Sequence, residues 1–308
     1  MDIANALLEP FMLEMFKTFD LNVNGVTLHG CAGGEGTPLL LLHGHPQTHA
    51  IWHRVAPRLK DHFHVVMVDL RGYGHSSKPP GDVEHETYSK RVMALDLVAL
   101  MTAFGFERFA VLAHDRGARV AHRLCLDHPE RVERAMFLDI APTLDMYERT
   151  DRAFASAYFH WFMLIQPAPL PERLIEANPR AWIDGVMGNR HAGLAPFSDE
   201  ALEAYREAMA LPGTAHAMCE DYRAANTIDL KHDRLDRDAG RRIQCPLRVL
   251  WGEHGVIEKL FDPMSLWQAC ALKVSGRALP CGHYLPEERP DDIIDEALTF
   301  FNAPAGAV

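Results

Sequence analysis

Asp115 stands in Ala113-His114-Asp115-Arg116-Gly117, between an apolar run, Phe109 to Ala113, and a stretch whose apolar residues Val120, Ala121, Leu124 and Cys125 have helical spacing. Small residues two positions either side of a central polar one permit a sharp strand-to-helix turn, the nucleophile elbow, that exposes the middle side chain. The commoner elbow carries Ser. An Asp there points away from acyl transfer and towards displacement at an sp3 carbon, with an alkyl ester formed on the carboxylate. An Asp can also simply cap the following helix, but a preceding strand and the elbow spacing favour the nucleophile.

Such chemistry needs a base and an acid further along the chain, in the order nucleophile, acid, histidine. His283 follows the last apolar run and precedes the final helical pattern, which suits a base that activates water for the second step. Three acids compete to orient it. Glu253 and Asp262 follow the penultimate strand, where Gly255 occupies a position that often holds Asp; Asp139 follows the strand before. We favour Asp139, whose carboxylate would accept the imidazole N–H and fix its tautomer. Backbone N–H groups around His45 and Arg116 would form the oxyanion region. Arg116 and Arg119 lie one and four positions after Asp115. Beside an anionic nucleophile they predict an anionic substrate, because arginine pairs with carboxylates. One of them pairing with a protein acid is the plainer alternative. Tyr158-Phe159-His160-Trp161 and Asp221-Tyr222 bring hydrogen-bond donors in aromatic surroundings.

The elements that must hold these residues alternate strand and helix through residue 142. Strands are predicted on both sides of the Asn22 to Gly25 turn and at Pro38–Leu42, Phe63–Val68, Phe109–Ala113 and Arg134–Leu138. Helices are predicted near Trp52 to Leu59 and over Tyr88–Phe104. From Thr143 to about Lys231 no strand is evident. Sheet rhythm returns at Pro246–Trp251 and Lys273–Leu279, with helices at Pro263–Leu272 and Pro290–Phe301. This predicts an α/β fold with a mostly parallel central sheet flanked by helices. Residues 1–142 and 232–308 would form the core and residues 143–231 an inserted helical cap.

At 308 residues and 48% hydrophobic content the chain can bury one such core. A formal net charge of −11 argues against nucleic acid or an anionic membrane as partner. The six cysteines are scattered without C-x-x-C spacing and read as buried free thiols; neither a metal nor a cofactor is expected. Met1 to Phe16 lacks a basic n-region and does not read as a signal peptide, so a reducing cytoplasm is expected.

Several segments together resemble a known family. His43 to His49, Asp69 to Gly74, His114 to Arg119, Leu138 to Ile140, Tyr158 to Trp161, Gln166 to Pro171, Met218 to Arg223 and Gly282 to Glu287 resemble the fluoroacetate (haloacetate) dehalogenases of the α/β-hydrolase superfamily. The resemblance implies Asp115 as nucleophile, His283 as base and Asp139 as acid, with Arg116 and Arg119 on the substrate carboxylate. It also implies His160, Trp161 and Tyr222 as a halide pocket, and a homodimer. His45 departs from the family, which more often has an aromatic or apolar residue there; Ala113 replaces the first elbow Gly. The expected reaction is hydrolytic dehalogenation of a 2-haloacid such as fluoroacetate. The alternative is an epoxide hydrolase, with the same Asp nucleophile and Tyr158, Tyr205 or Tyr222 protonating the epoxide. A simple haloalkane dehalogenase is disfavoured by Arg116, where that group places Trp, and an ester hydrolase by the missing Ser. A ligand-binding member without activity is disfavoured by a complete triad.

Overall fold

A computed structural model of the chain describes residues 13–304. Most of the Met1 to Phe16 segment lies outside them. Eight strands form one sheet in the order β1-β2-β4-β3-β5-β6-β7-β8. They are β1 (Lys17–Val23), β2 (Val26–Gly33), β3 (Thr37–Leu42), β4 (Phe63–Val68), β5 (Phe109–His114), β6 (Val132–Leu138), β7 (Leu247–Gly252) and β8 (Val274–Leu279). β2 pairs antiparallel with both β1 and β4; every other pairing is parallel. Asn24 and Gly25, both at positive φ, close the first hairpin as a two-residue turn.

The apolar runs of the central strands divide by parity, as a two-residue repeat requires. Leu40, Leu42, Val66, Val68, Val111 and Ala113 join one core with Leu97, Leu100, Val120 and Leu124 from helices α1 (Lys90–Ala103) and α2 (Asp115–Asp127). Leu39, Leu41, Val65, Met67, Leu112 and Leu138 join a second core on the other face, with Trp52, Val55, Ile293 and Ala297. A sheet buried on both faces therefore fixes the strand ends that carry Asp115 and Asp139. The helix expected across Trp52 to Leu59 is instead a 3-10 turn, His49–Trp52, followed by one helical turn, Ala56–Leu59.

Between β6 and β7 the chain is helical. The segments are α3 (Thr143–Glu148), α4 (Arg152–Ala157), α5 (Phe159–Leu164), α6 (Leu170–Glu176), α7 (Pro179–Gly188), α8 (Asp199–Ala210), α9 (Thr214–Asn226) and α10 (Ile228–Asp238). The boundary expected at residues 231 and 232 thus falls inside α10. Its charge-rich sequence continues the helix to Asp238, where Arg123 bridges Asp233 and Asp236 from α2. Among the described residues no helix is long and apolar enough to cross a membrane.

One tie between these helices and the segment after His283 is titratable. Tyr205 on α8 donates its hydroxyl to Glu287 Oε1 at 2.6 Å. Burial pushes the Glu287 carboxyl up to about 8, against the smaller opposing effects of Tyr205 and Arg54. The folded chain therefore keeps a proton that the unfolded chain has lost between the ordinary carboxyl value and about 8. Stability is fully present below that window and is lost as pH rises through it, by at most about 5 kcal/mol before relaxation. Glu287→Gln, neutral at every pH, should melt higher than the wild type at pH 8.5, with the two curves converging at pH 5. A gap of equal size at both values in thermal melts would contradict this origin.

Candidate active site

The elbow forms because β5 ends in the sheet and α2 starts at once. Asp115 is the first residue of α2 and sits at φ +43, a left-handed conformation that Asp tolerates better than most side chains. The turn is held by Gly117 N–H, which donates to the His43 carbonyl at 2.9 Å. A side chain at Gly117 would start 2.4 Å from that oxygen, so the second small residue of the elbow must be glycine. Ala113, in contrast, fits in the sheet opposite Leu42 and Phe137. Gly44 has the same role from the other side, because a Cβ there would meet Asp115 Cβ at 2.5 Å. That close approach brings the His45 backbone N–H to Asp115 Oδ1 at 3.0 Å.

Asp139 follows β6 at φ +51, which turns its carboxylate sideways towards the next strand. Its Oδ1 accepts from Gly252 N–H at 2.9 Å and its Oδ2 from His283 Nδ1 at 2.6 Å. The Nδ1 proton is thereby fixed, which leaves the Nε2 lone pair facing Asp115 Oδ2, 4.0 Å away. Of the competing acids, Glu253 is exposed, and Asp262 is exposed and caps a helix through Ser265 N–H. A side chain at Gly255 would start 3.5 Å from Asp139 Oδ1, so acids on either strand would reach the same space.

Burial alone would raise the Asp115 carboxyl. Electrostatic interaction with the His283 and Arg119 side chains, then with His114 and Arg116, outweighs it and holds the group far below the usual carboxylate range. Asp115 is therefore ionised at neutral pH. With Oδ1 held by the His45 amide, Oδ2 is the oxygen without that bond.

The two arginines are less alike than their spacing suggests. Arg116 donates Nε and Nη2 to the Asp221 carboxylate at 2.8 Å each, and Nη2 also reaches the Asp221 carbonyl at 2.9 Å. Asp221 further accepts from Tyr73 Oη at 2.7 Å and pairs with Lys90. The plainer alternative, an arginine paired with a protein acid, thus describes two-thirds of this guanidinium. Only Nη1 is left, buried and without a partner among the described residues. Arg119 donates Nη1 to the Ala141 carbonyl and Thr143 Oγ1, at 3.1 and 2.9 Å, and its Nε is likewise unpartnered.

α5 and α9 close the site. Arg119 lies 4.7 Å over the Trp161 ring and Arg116 4.1 Å over the Tyr222 ring. Trp161 is fully buried with no partner for its indole N–H among the described residues. The His160 ring is 6.0 Å from that of Tyr222, and burial takes its imidazole well below the ordinary histidine value, so it is neutral. All eight expected site residues, with His45, therefore meet around Asp115. Of the three tyrosines considered for an epoxide, Tyr205 is committed to Glu287, whereas Tyr158 and Tyr222 flank His160.

A profile described as the alpha/beta hydrolase fold matches residues 37–290. The chain belongs to the alpha/beta hydrolase family. This hydrolase is 44% identical over 282 residues to a fluoroacetate dehalogenase of Burkholderia sp, across 91% of this chain and 92% of that protein. It is 31% identical to a soluble epoxide hydrolase of Corynebacterium sp. (strain C12), across 91% and 95%. A solved alpha/beta hydrolase structure from Nostoc sp PCC 7120 superposes with a TM-score of 0.91 at 49% identity, covering 93% of this chain and 98% of that one.

Three further residues of the hydrolase surround this site, two of them without a sequence signal. Arg190, in the loop after α7, lies 4.6 Å over the Tyr158 ring, and its charge depresses both His160 and His45. Trp182 on α7 meets the His45 ring edge-on at 6.3 Å. His114 Nε2 donates to the His283 carbonyl at 2.8 Å. Arg190 and Trp182 lie in segments without a motif, far from Asp115, Asp139 and His283 in sequence, whereas His114 adjoins Asp115 within the elbow.

Proposed function

We propose that this hydrolase cleaves the carbon–halogen bond of short 2-haloacids, haloacetates first among them, to give the 2-hydroxy acid and halide. The carrying observation is a set of buried donors that the protein leaves unpaired beside an ionised Asp115: Arg116 Nη1, Arg119 Nε and Trp161 Nε1. Unpaired buried donors are costly, and two cationic ones suit a substrate carboxylate while the indole N–H suits a departing halide. Asp115 Oδ2 attacks the 2-carbon, the halide leaves with the bonding pair, and an ester remains on Asp115. His283 Nε2 then takes a proton from water, whose oxygen adds to the ester carbonyl. The resulting oxyanion is Oδ1, already on the His45 N–H. Asp139 steadies the imidazolium, which gives its proton to Oδ2 as the Cγ–Oδ2 bond breaks, so the hydroxy acid leaves and the Asp115 carboxylate is restored. In this reading the inserted helices serve as the cap that excludes water.

The test is release of halide and glycolate from fluoroacetate and chloroacetate. Turnover of an epoxide with no halide from either acid would establish the second reading, which Tyr158 and Tyr222 beside His160 keep in play. The carboxylate role has its own check. Arg119→Ala should lower kcat/KM for chloroacetate by on the order of 10- to 100-fold, the worth of a charged hydrogen bond, and that for neutral chloroacetamide far less. Equal losses on both substrates would remove Arg119 from the carboxylate site.

A further inference from the structure

The His45 side chain is unexplained by the steps above, which use only its backbone. The residue is 3% exposed, and neither ring nitrogen has a partner among the described residues. Its ring lies nearly parallel to that of His160, with centroids 5.6 Å apart and planes 6° apart. It meets the Tyr222 ring edge-on at 5.2 Å and the Trp182 ring at 6.3 Å. It is thus boxed in by two of the three side chains expected to hold the halide. Burial, assisted by Arg116 and Arg190 and opposed by Asp115, lowers it to about 3, so at neutral pH it carries one N–H and one lone pair. An apolar ring would fill the same box without stranding two polar atoms. The imidazole gains from its place only when a ligand atom meets it.

We infer that the His45 side chain is a further hydrogen-bond donor to the departing halide, and that it biases this site towards fluoride. The inference rests on the dehalogenase reading. Two imidazoles in near-parallel planes can each direct an N–H at one ion lying off their common edge. As the bond from Asp115 Oδ2 to the 2-carbon forms and the carbon–halogen bond breaks, the electron pair leaves on the halogen. The donors stabilise that charge, and no proton is transferred from them. Fluoride concentrates its charge most and accepts hydrogen bonds most strongly, so one more donor favours it over bromide.

His45→Phe fills the same volume without a donor, and His45→Gln keeps an N–H. Fluoride release from fluoroacetate should fall on the order of tenfold more than bromide release from bromoacetate in the Phe variant. The Gln variant should recover part of that ratio. An unchanged fluoride-to-bromide ratio in the Phe variant, or a Gln variant no better than Phe, overturns the inference. Binding of sodium fluoride and sodium bromide, followed by tryptophan fluorescence, gives a readout independent of turnover. Wild-type preference for fluoride that His45→Phe erases supports the donor; binding of neither halide by the wild type overturns it. Halide binding that depends on His45, without halide release from any haloacetate, would sink the haloacid reading and leave the donor standing.

Discussion

Asp115→Asn should abolish halide release from chloroacetate and fluoroacetate, by on the order of 10⁴-fold or more, as expected for loss of an attacking nucleophile. The amide keeps the shape of the carboxylate and tolerates the left-handed backbone at φ +43. It also leaves the Gly117 to His43 bond untouched, so the elbow should survive. What it removes is the anion beside Arg119 and Arg116. Circular dichroism should show a folded protein, and ion chromatography no halide. A folded variant that still released halide at a few per cent of the wild-type rate would mean that water, and not Asp115, attacks the carbon. In that case His283 would be acting in the first step.

His283→Asn should separate the two steps. Displacement by an already ionised Asp115 does not need the imidazole, so the variant should release about one halide per chain and then stop. Steady turnover should fall by on the order of 10³-fold or more. The intact protein should gain the mass of a carboxymethyl group, and the peptide that carries Asp115 should hold it. Asn cannot take a proton from water, while the His45 amide remains in place on Oδ1 of the ester. An unmodified chain after the burst would contradict a covalent intermediate. A variant with no burst at all would show that His283 also places the substrate, for which the 4.0 Å gap between Nε2 and Asp115 Oδ2 leaves room.

How much of this was legible before folding depended on sequence distance. The elbow was readable because its constraints are local. Ala113 and Gly117 are small where strand, turn and helix crowd together, and Asp115 is the one side chain that the turn exposes. The strands were readable because a sheet covered on both faces demands uninterrupted apolar runs such as Leu39 to Leu42. Local pattern failed where packing overrode it: near Trp52 to Leu59 the helix broke into two turns, and at α10 charged residues continued a helix past the expected boundary.

Asp139 stands apart from both groups. It and His283 are 144 residues apart, and chain order alone could not choose it over Glu253 or Asp262. The choice follows from a positive φ after β6 that carries its carboxylate across to β7. By itself the sequence determined the elbow with Asp115 at its centre, the alternating architecture and the presence of two arginines beside an anion. Only the tertiary structure decided what those arginines have left to give. Asp221, 105 residues from Arg116, takes two of its three nitrogens, and the Nη1 amino group, with its two N–H, remains for a ligand. The same holds for His45, whose unpaired ring is invisible until α5, α7 and α9 close over it. Hydrogen-bond capacity is a remainder after all partners are counted, and most of these partners lie far along the chain.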